Sequence, residues 1–371
     1  MSTKELRARA ARWLHKSRTR KGGAAALTAV LVLAVTFAFL HEYWRAAFSV
    51  RPLLGDETRR AARDKASQLA GAVESRVIAK GKIQGDAWTS AQILVALKEN
   101  NPQYKVGAGP RSIAQHFRSI AGPECACWRK VPAGNFPSHL GVTGWTLWSL
   151  ACYGVAAHHT EIDFLLAAQG PEGGWPLFAG ADPARFSSSY ATAAAILALH
   201  EQSAREKDPA RRARMTAAVS RGALWLRSRA SARARWADYP DSQEKKEYLG
   251  LSGFVLFALH RTGSPGLAVL DREWMSGLPE ETPSLLADEA SGRKVPVGKR
   301  AYPDDTLYRT LPWTIVATVH AYPNASIFGK VRGTRWLARA LEPGAPVYAL
   351  AGNEHDAALL AEALFALRTD T

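Results

Sequence analysis

The sequence predicts an all-α fold: an α/α toroid of about six helical hairpins, preceded by one N-terminal transmembrane helix. Three observations predict it. Two series of helical patterns alternate, repeating every 50–60 residues or so. The segment Phe164 to Trp175, FLLAAQGPEGGW, couples the end of one helix to the start of the next. The run Gly22 to Leu40 carries no charge. With 371 residues, 47% of them hydrophobic, the chain can bury a sizeable core.

At the amino end, residues 1–21 hold eight Lys/Arg and one acidic residue, a net +7. The whole chain carries +15, so the other 350 residues carry +8, with both signs interspersed. No basic stripe with interleaved aromatics stands out, so no nucleic-acid partner is expected. The uncharged run, 19 residues at about 1.5 Å each, nearly spans a hydrocarbon layer. Arg18, Arg20 and Lys21 precede it, and Tyr43 and Trp44 follow at the expected interface. The expected organisation is a cytoplasmic tail over 1–21, an anchor over 22–44 and a toroid over 45–371. The positive-inside rule places the toroid on the periplasmic side of the inner membrane. A cleaved signal peptide is the rival reading, but the run is long and no small-x-small site follows it.

A helix over about 56–78 comes first. The inner series follows: 86–98, 143–158, 189–200, 247–260, 306–320 and 355–368, each rich in alanine and other apolar residues. They close on Lys98, His158, His200, His260, His320 and Arg368, cations or imidazoles suited to the negative end of the helix dipole. Between them lies a more amphipathic series, anchored by Phe117, Phe164, Trp225, Trp274 and Trp336. Helices apolar all round are buried, and those with one apolar stripe lie outside. Six such pairs can close into a ring; an open solenoid is the alternative. Residues 276–303 form the longest irregular piece.

Within Phe164 to Trp175, Pro171, Gly173 and Gly174 stop the helix and turn the chain. Gln169 can bond that helix end or the turn, and Trp175 can cover its amide plane. Phe164, Leu165, Gln169, Gly173 and Trp175 resemble the QW motif of squalene-hopene and oxidosqualene cyclases. Arg221-Gly222 with Trp225, and Arg332-Gly333 with Trp336, fit the first half of the motif, but their glutamine positions hold Ala230 and Leu341. The resemblance implies the α/α toroid of terpenoid cyclases and protein prenyltransferases over residues 56–371.

Inner helices antiparallel to outer ones put all inner amino ends on one rim. Asp86, Thr146, Ser188, Tyr248, Tyr308 and Asp356 lie twelve residues before the common basic end, with Asp304, Asp305, Glu354 and His355 one turn earlier. Trp88, Trp145, Trp148 and Trp313 lie below that rim and could narrow a central funnel. Asp304-Asp305-Thr306 resembles the end of the Asp-x-Asp-Asp-Thr acid motif of class II cyclases, with Tyr302 where the first Asp stands. That likeness implies Asp304 as proton donor and Asp305 as its neighbour. The same residues also suit a helix cap.

Three functions follow as expectations. The first is a membrane-anchored toroid that takes an isoprenoid, lipid or other hydrophobic ligand. Its catalytic candidates are Asp304, Asp305, Asp86 and Asp356. Its ligand-binding candidates are Trp88, Trp145, Trp148, Tyr248, Tyr308, Trp313, Glu354 and His355. The second is an envelope glycan-processing enzyme with two carboxylates across a groove. The third is a scaffold for an envelope protein partner. No cofactor and no metal are expected, since Cys125 and Cys127 lack a suitably placed Asp and His. A disulfide, most plausibly from Cys152 to one of them, is the other use of the three cysteines.

Overall fold

The computed structural model describes residues 32–34, 36–37, 56–79, 82–83, 86–100, 109–121, 128, 137–242, 246–280, 288–290, 292–304 and 306–342. The chain separates into two compact units, Met1–Pro52 and Leu53–Thr371. Of the first, the described residues are helical, with Val32, Leu33 and Phe37 exposed. Among the described residues no helix is long and apolar enough to cross a membrane. Most of the apolar run lies outside them. So do Asp305, Glu354, His355, Asp356, Cys125, Cys127 and the expected helix 355–368.

The second unit is built from helix pairs. Helix α1 (Asp56–Val77) leads into α2 (Ala87–Asn100), α3 (Gly109–Ser119), α4 (Leu140–Cys152) and α5 (His159–Ala167). A short α6 (Pro183–Phe186) precedes α7 (Ser189–Ser203) and α8 (Pro209–Ser228). Then come α9 (Leu249–Arg261), α10 (Leu267–Ser276), α11 (Thr310–Ala321) and α12 (Ile327–Ala340). Helices α2, α4, α7, α9 and α11 are the inner series, buried along nearly their whole length. The outer helices bury one stripe each, anchored by Phe117, Trp225, Trp274 and Trp336.

Several boundaries differ from those expected. Helix α4 ends at Cys152, and His158 instead precedes α5 in extended backbone, its N–H bonded to Glu161 Oε2 at 2.6 Å. Helix α11 starts at Thr310, not Thr306, because Leu307–Arg309 is a strand paired with Asp288–Ala290. The irregular piece before it folds partly into a hairpin, Lys294–Val297 against Arg300–Pro303. Two-residue pairs also join Trp175–Pro176 to Ser187–Ser188 and Trp236–Ala237 to Glu247–Tyr248. The fold is therefore mostly helical with small antiparallel pairs, where the sequence suggested helices alone. Cys152 is half-buried, and Cys125 and Cys127, its expected disulfide partners, lie outside the described residues.

A single clasp recurs at three returns from outer to inner helix. Trp128, Trp175 and Trp236 are fully buried. Their indole N–H groups donate to Phe117 O, Leu165 O and Leu226 O, each at 2.7 Å. Their backbone N–H groups donate to a hydroxyl on the following inner helix: Thr143, Thr192 and Ser252 at 3.3, 2.9 and 2.8 Å. Each indole thus donates to a carbonyl near the carboxyl end of its outer helix, where Phe117 O and Leu226 O also accept weaker bonds from Ile120 and Arg229 N–H at 3.3 and 3.1 Å. Gln169 reaches further than expected. Its Nε2 donates at 2.9 Å to Gly173 O in the turn and at 2.9 Å to Ala218 O on α8. Arg221 of α8 donates back to Gln169 Oε1. Gly173 has φ +106°, and a Cβ there would lie 2.5 Å from Arg221 O, so the turn needs glycine twice over. Phe164 is half-buried beside this clasp.

The inner helices curve around a common axis. Trp145 of α4 stacks on Phe254 of α9 at 5.3 Å and meets Trp313 of α11 at 6.1 Å. Trp88 of α2 donates to the Tyr190 hydroxyl on α7 at 2.7 Å. Helices two and three places apart in the series thus touch, which an uncurled superhelix does not permit. Gly253 lets the neighbouring helices α9 and α11 approach closely: a Cβ there would sit 2.4 Å from Trp313 O. Trp145, Trp148 and Trp313 were expected to line a funnel. Instead their rings pack on one another and on Phe254 and Phe257, at centroid distances of 4.8 to 6.1 Å.

Candidate functional site

The amino ends of α7, α9 and α11 bring two acids together. The strand Trp236–Ala237 delivers Asp238 and Tyr239, and the hairpin 294–303 delivers Asp304. Asp238 is 1% exposed and Asp304 2%. The two segments exchange hydroxyls: Tyr308 donates to Asp238 Oδ2, and Tyr239 donates to Asp304 Oδ2 at 3.0 Å. Asp238 Oδ1 also accepts from the Ser188 hydroxyl at 2.6 Å and from Tyr190 N–H at 3.1 Å. Asp304 Oδ1 accepts from Thr306 N–H at 2.9 Å, and its own N–H donates to Arg293 O at 2.6 Å. The Arg293 guanidinium lies over the Tyr239 ring, 5.2 Å from its centre.

Burial governs the charge here. It raises Asp238 from 3.8 to about 7, with a further push from the nearby Asp304 carboxylate; hydrogen bonds from Ser188, Tyr308 and Tyr190 pull the other way. Near neutral pH, Asp238 therefore exists both protonated and ionised. The Tyr239 and Tyr308 hydroxyls are held well above 10, first by burial and then by the two carboxylates, so both stay neutral donors. Burial likewise lifts Tyr190. Tyr308 rests against Tyr248 at 4.9 Å and Tyr190 at 6.1 Å, and Tyr190 against Phe254 at 5.5 Å. A proton held in a dry pocket, ringed by aromatic faces, is the chemistry this group can offer.

Asp304, Tyr248 and Tyr308 were expected at this rim and are found there. Trp88 joins them through Tyr190, and it is half-exposed. Asp86 is elsewhere engaged: Oδ1 and Oδ2 accept from Thr89 N–H and Oγ1, both at 2.9 Å, which caps α2. Asp238, Tyr239 and Tyr190 were not anticipated as functional. One signal could have found Asp238. Two residues after its clasp tryptophan, the preceding repeat has Leu177, and Leu177 O accepts from Leu140 N–H at 2.8 Å. The same register here gives Asp238, whose carbonyl accepts from Ser189 N–H at 2.7 Å. A carboxylate has replaced an apolar residue at an interior position of the repeat.

The opposite rim holds His260, His320 and Arg261. His260 Nε2 pairs with the fully buried Asp271 at 2.7 Å, and Asn324 holds the other Asp271 oxygen at 2.7 Å. Among the described residues no cluster of three or more His, Cys, Asp or Glu is placed to hold a metal ion.

No protein-family profile matches the sequence, and no curated protein does. Solved structures do resemble the fold. The ent-copalyl diphosphate synthase from Streptomyces platensis aligns at 17% identity with a TM-score of 0.50, over 76% of this chain and 49% of its own. The chain thus spans about half the length of that protein. The type II terpene cyclase MstE from Scytonema, in complex with its substrate geranylgeranyl dihydroxybenzoate, aligns at 13% identity with a TM-score of 0.47, over 84% of this chain and 99% of its own. The α/α helical architecture of the second unit is similar to that of the ent-copalyl diphosphate synthase.

Proposed function

We propose that the chain is a terpenoid-cyclase-like toroid that handles an isoprenoid or other hydrophobic ligand, with the Asp304–Asp238 pair as proton source. One observation carries this: two buried carboxylates exchange tyrosine hydroxyls beneath aromatic rings, where burial pushes Asp238 above the ordinary carboxylate range. The likeness to an ent-copalyl diphosphate synthase supports it at the level of fold. An acid O–H would give its proton to one carbon of an alkene, leaving a carboxylate and a carbocation at the other carbon. Aromatic faces stabilise such a cation. Loss of a C–H proton from the cation then forms a new alkene and recharges the acid. The half-exposed Trp88 and Tyr302 would flank the ligand's way in.

The test uses the full chain with geranylgeranyl diphosphate and squalene, products being read by mass spectrometry. Asp304→Asn and Asp238→Asn should each lower turnover roughly 100-fold or more, the usual worth of a positioned acid, with the circular dichroism spectrum unchanged. Unaltered turnover removes the pair from the chemistry. A wild-type chain that neither converts nor binds either compound overturns the whole reading and favours the scaffold. The tightly packed rings of Trp145, Trp148, Phe254 and Trp313 are the observation behind that second reading. The buried acid pair lends no support to glycan processing, which needs carboxylates across an open groove.

We further propose that the run Gly22 to Leu40 anchors the chain in the inner membrane, with the toroid on the periplasmic side. Its length and its flanking cations support this. The full chain should stay with membranes through carbonate washing, and deletion of residues 1–44 should free it. Release of the intact chain by carbonate would refute the anchor.

A further inference from the structure

Away from the acid pair, an open groove of about 830 Å³ runs along α3. Arg111, Ala114, Gln115, Arg118 and Ser119 line it, with Val155 from the segment after α4. Its volume suits a small molecule, for which sites of roughly 300–1,000 Å³ are usual. The lining positions follow helical spacing. Arg111, Gln115 and Arg118 recur at intervals of four and three, so they share one face of α3. Two turns, about 10.5 Å, separate the arginines along the helix. Gln115 lies between them. Ala114 is buried and Val155 half-buried, which gives the floor an apolar character.

Two arginines face this groove. Elsewhere some outer-helix arginines are paired: Arg211 and Arg214 with Asp163, Arg229 with Glu172 and Asp241. Arg111 and Arg118 have no ion pair or hydrogen bond among the described residues. His116, beside them on α3, is held neutral by burial, so it adds no charge at pH 7. Two guanidiniums without a partner among the described residues, over an apolar floor, suit one kind of molecule. It needs an anionic head for the planar forks, which match phosphate oxygens in pairs. It also needs a hydrocarbon part for Ala114, Val155 and the arginine stems.

We propose that the α3 groove binds a phosphate-headed amphiphile, the head between Arg111 and Arg118 and the tail along Ala114 and Val155. This site is separate from the acid pair, and it stands whether or not that pair is catalytic. A membrane lipid and a soluble alkyl or prenyl phosphate share this chemistry.

The experiment takes the full chain in nanodiscs of neutral phosphatidylcholine and titrates it with octyl phosphate by calorimetry. Octyl phosphate should bind at least tenfold more tightly than inorganic phosphate. The double variant Arg111→Gln/Arg118→Gln should weaken octyl phosphate at least tenfold while melting at the wild-type temperature. The charge-keeping pair Arg111→Lys/Arg118→Lys should retain part of the affinity. Ala114→Asp should abolish binding by placing an anion in the floor. Competition by phosphatidylglycerol vesicles upholds the site and identifies its source as lipid; absence of competition upholds it with a soluble source. Wild-type affinity in the double glutamine variant, or inorganic phosphate binding as tightly as octyl phosphate, would overturn the proposal.

Discussion

Asp238 feels opposing forces: three donors favour its charge, while burial and Asp304 oppose it more strongly. The folded protein therefore holds a proton up to about pH 7 that the unfolded chain releases near 3.8. Stability must fall as pH rises across that window, because the native state binds more protons there. His320 acts with the opposite sign. Burial, then His260 and Arg261, lower it from 6.5 to about 4. The unfolded chain binds that proton first, so this residue's contribution grows as pH rises from about 4 to 6.5. Asp238→Asn should remove the falling component and leave unfolding midpoints that climb over pH 4 to 6.5 and then level off. Urea melts at half-unit pH steps measure this; a variant that still weakens toward pH 7 would show that Asp238 is not the group responsible. The sequence made Asp304 legible through its likeness to an acid motif. Asp238 escaped because a lone acid in a Trp-Ala-Asp-Tyr turn looks like any surface turn until the repeat register is aligned.

Among the elements, the tryptophan clasp sets how each outer helix returns to the axis. Its indole and backbone N–H groups bind two different helices, so one side chain fixes both a helix end and a helix approach. Trp236→Phe should cost about 0.5–1.5 kcal/mol, since Leu226 O loses the indole donor and keeps only the 3.1 Å bond from Arg229 N–H. Trp236→Ala should cost about 3–5 kcal/mol, as the cavity is added. Denaturant unfolding gives both values; a Trp236→Phe variant as stable as the wild type would mean that the hydrogen bond contributes nothing. Phe164 to Trp175 announced this clasp through its Gln, Gly and Trp. The hydroxyl half stayed hidden, because Thr192 and Ser252 sit among small residues that serve equally well as helix packing. The strand before α11 was missed for a similar reason. Tyr308 fits an apolar helical pattern, and only pairing with 288–290 reveals the extended backbone.

At the scale of the molecule, alternation of buried and amphipathic helices was readable from periodicity, since that pattern follows directly from which faces meet water. The filling of the axis was not. Trp145, Trp148 and Trp313 have the same spacing whether they border a void or close it, and only their rotamers decide. The joining of distant repeats was also unreadable. Arg261 of α9 pairs with Glu99 of α2 at 3.1 Å and with Glu201 of α7 at 2.8 Å. Linear repeat arrays touch only their neighbours and can peel from either end, one unit after another. Here a single guanidinium buckles three staves at their base, and two of them belong to repeats that are not consecutive. Fraying at one end is thus opposed by the middle of the chain, so these hairpins should share one melting transition instead of several.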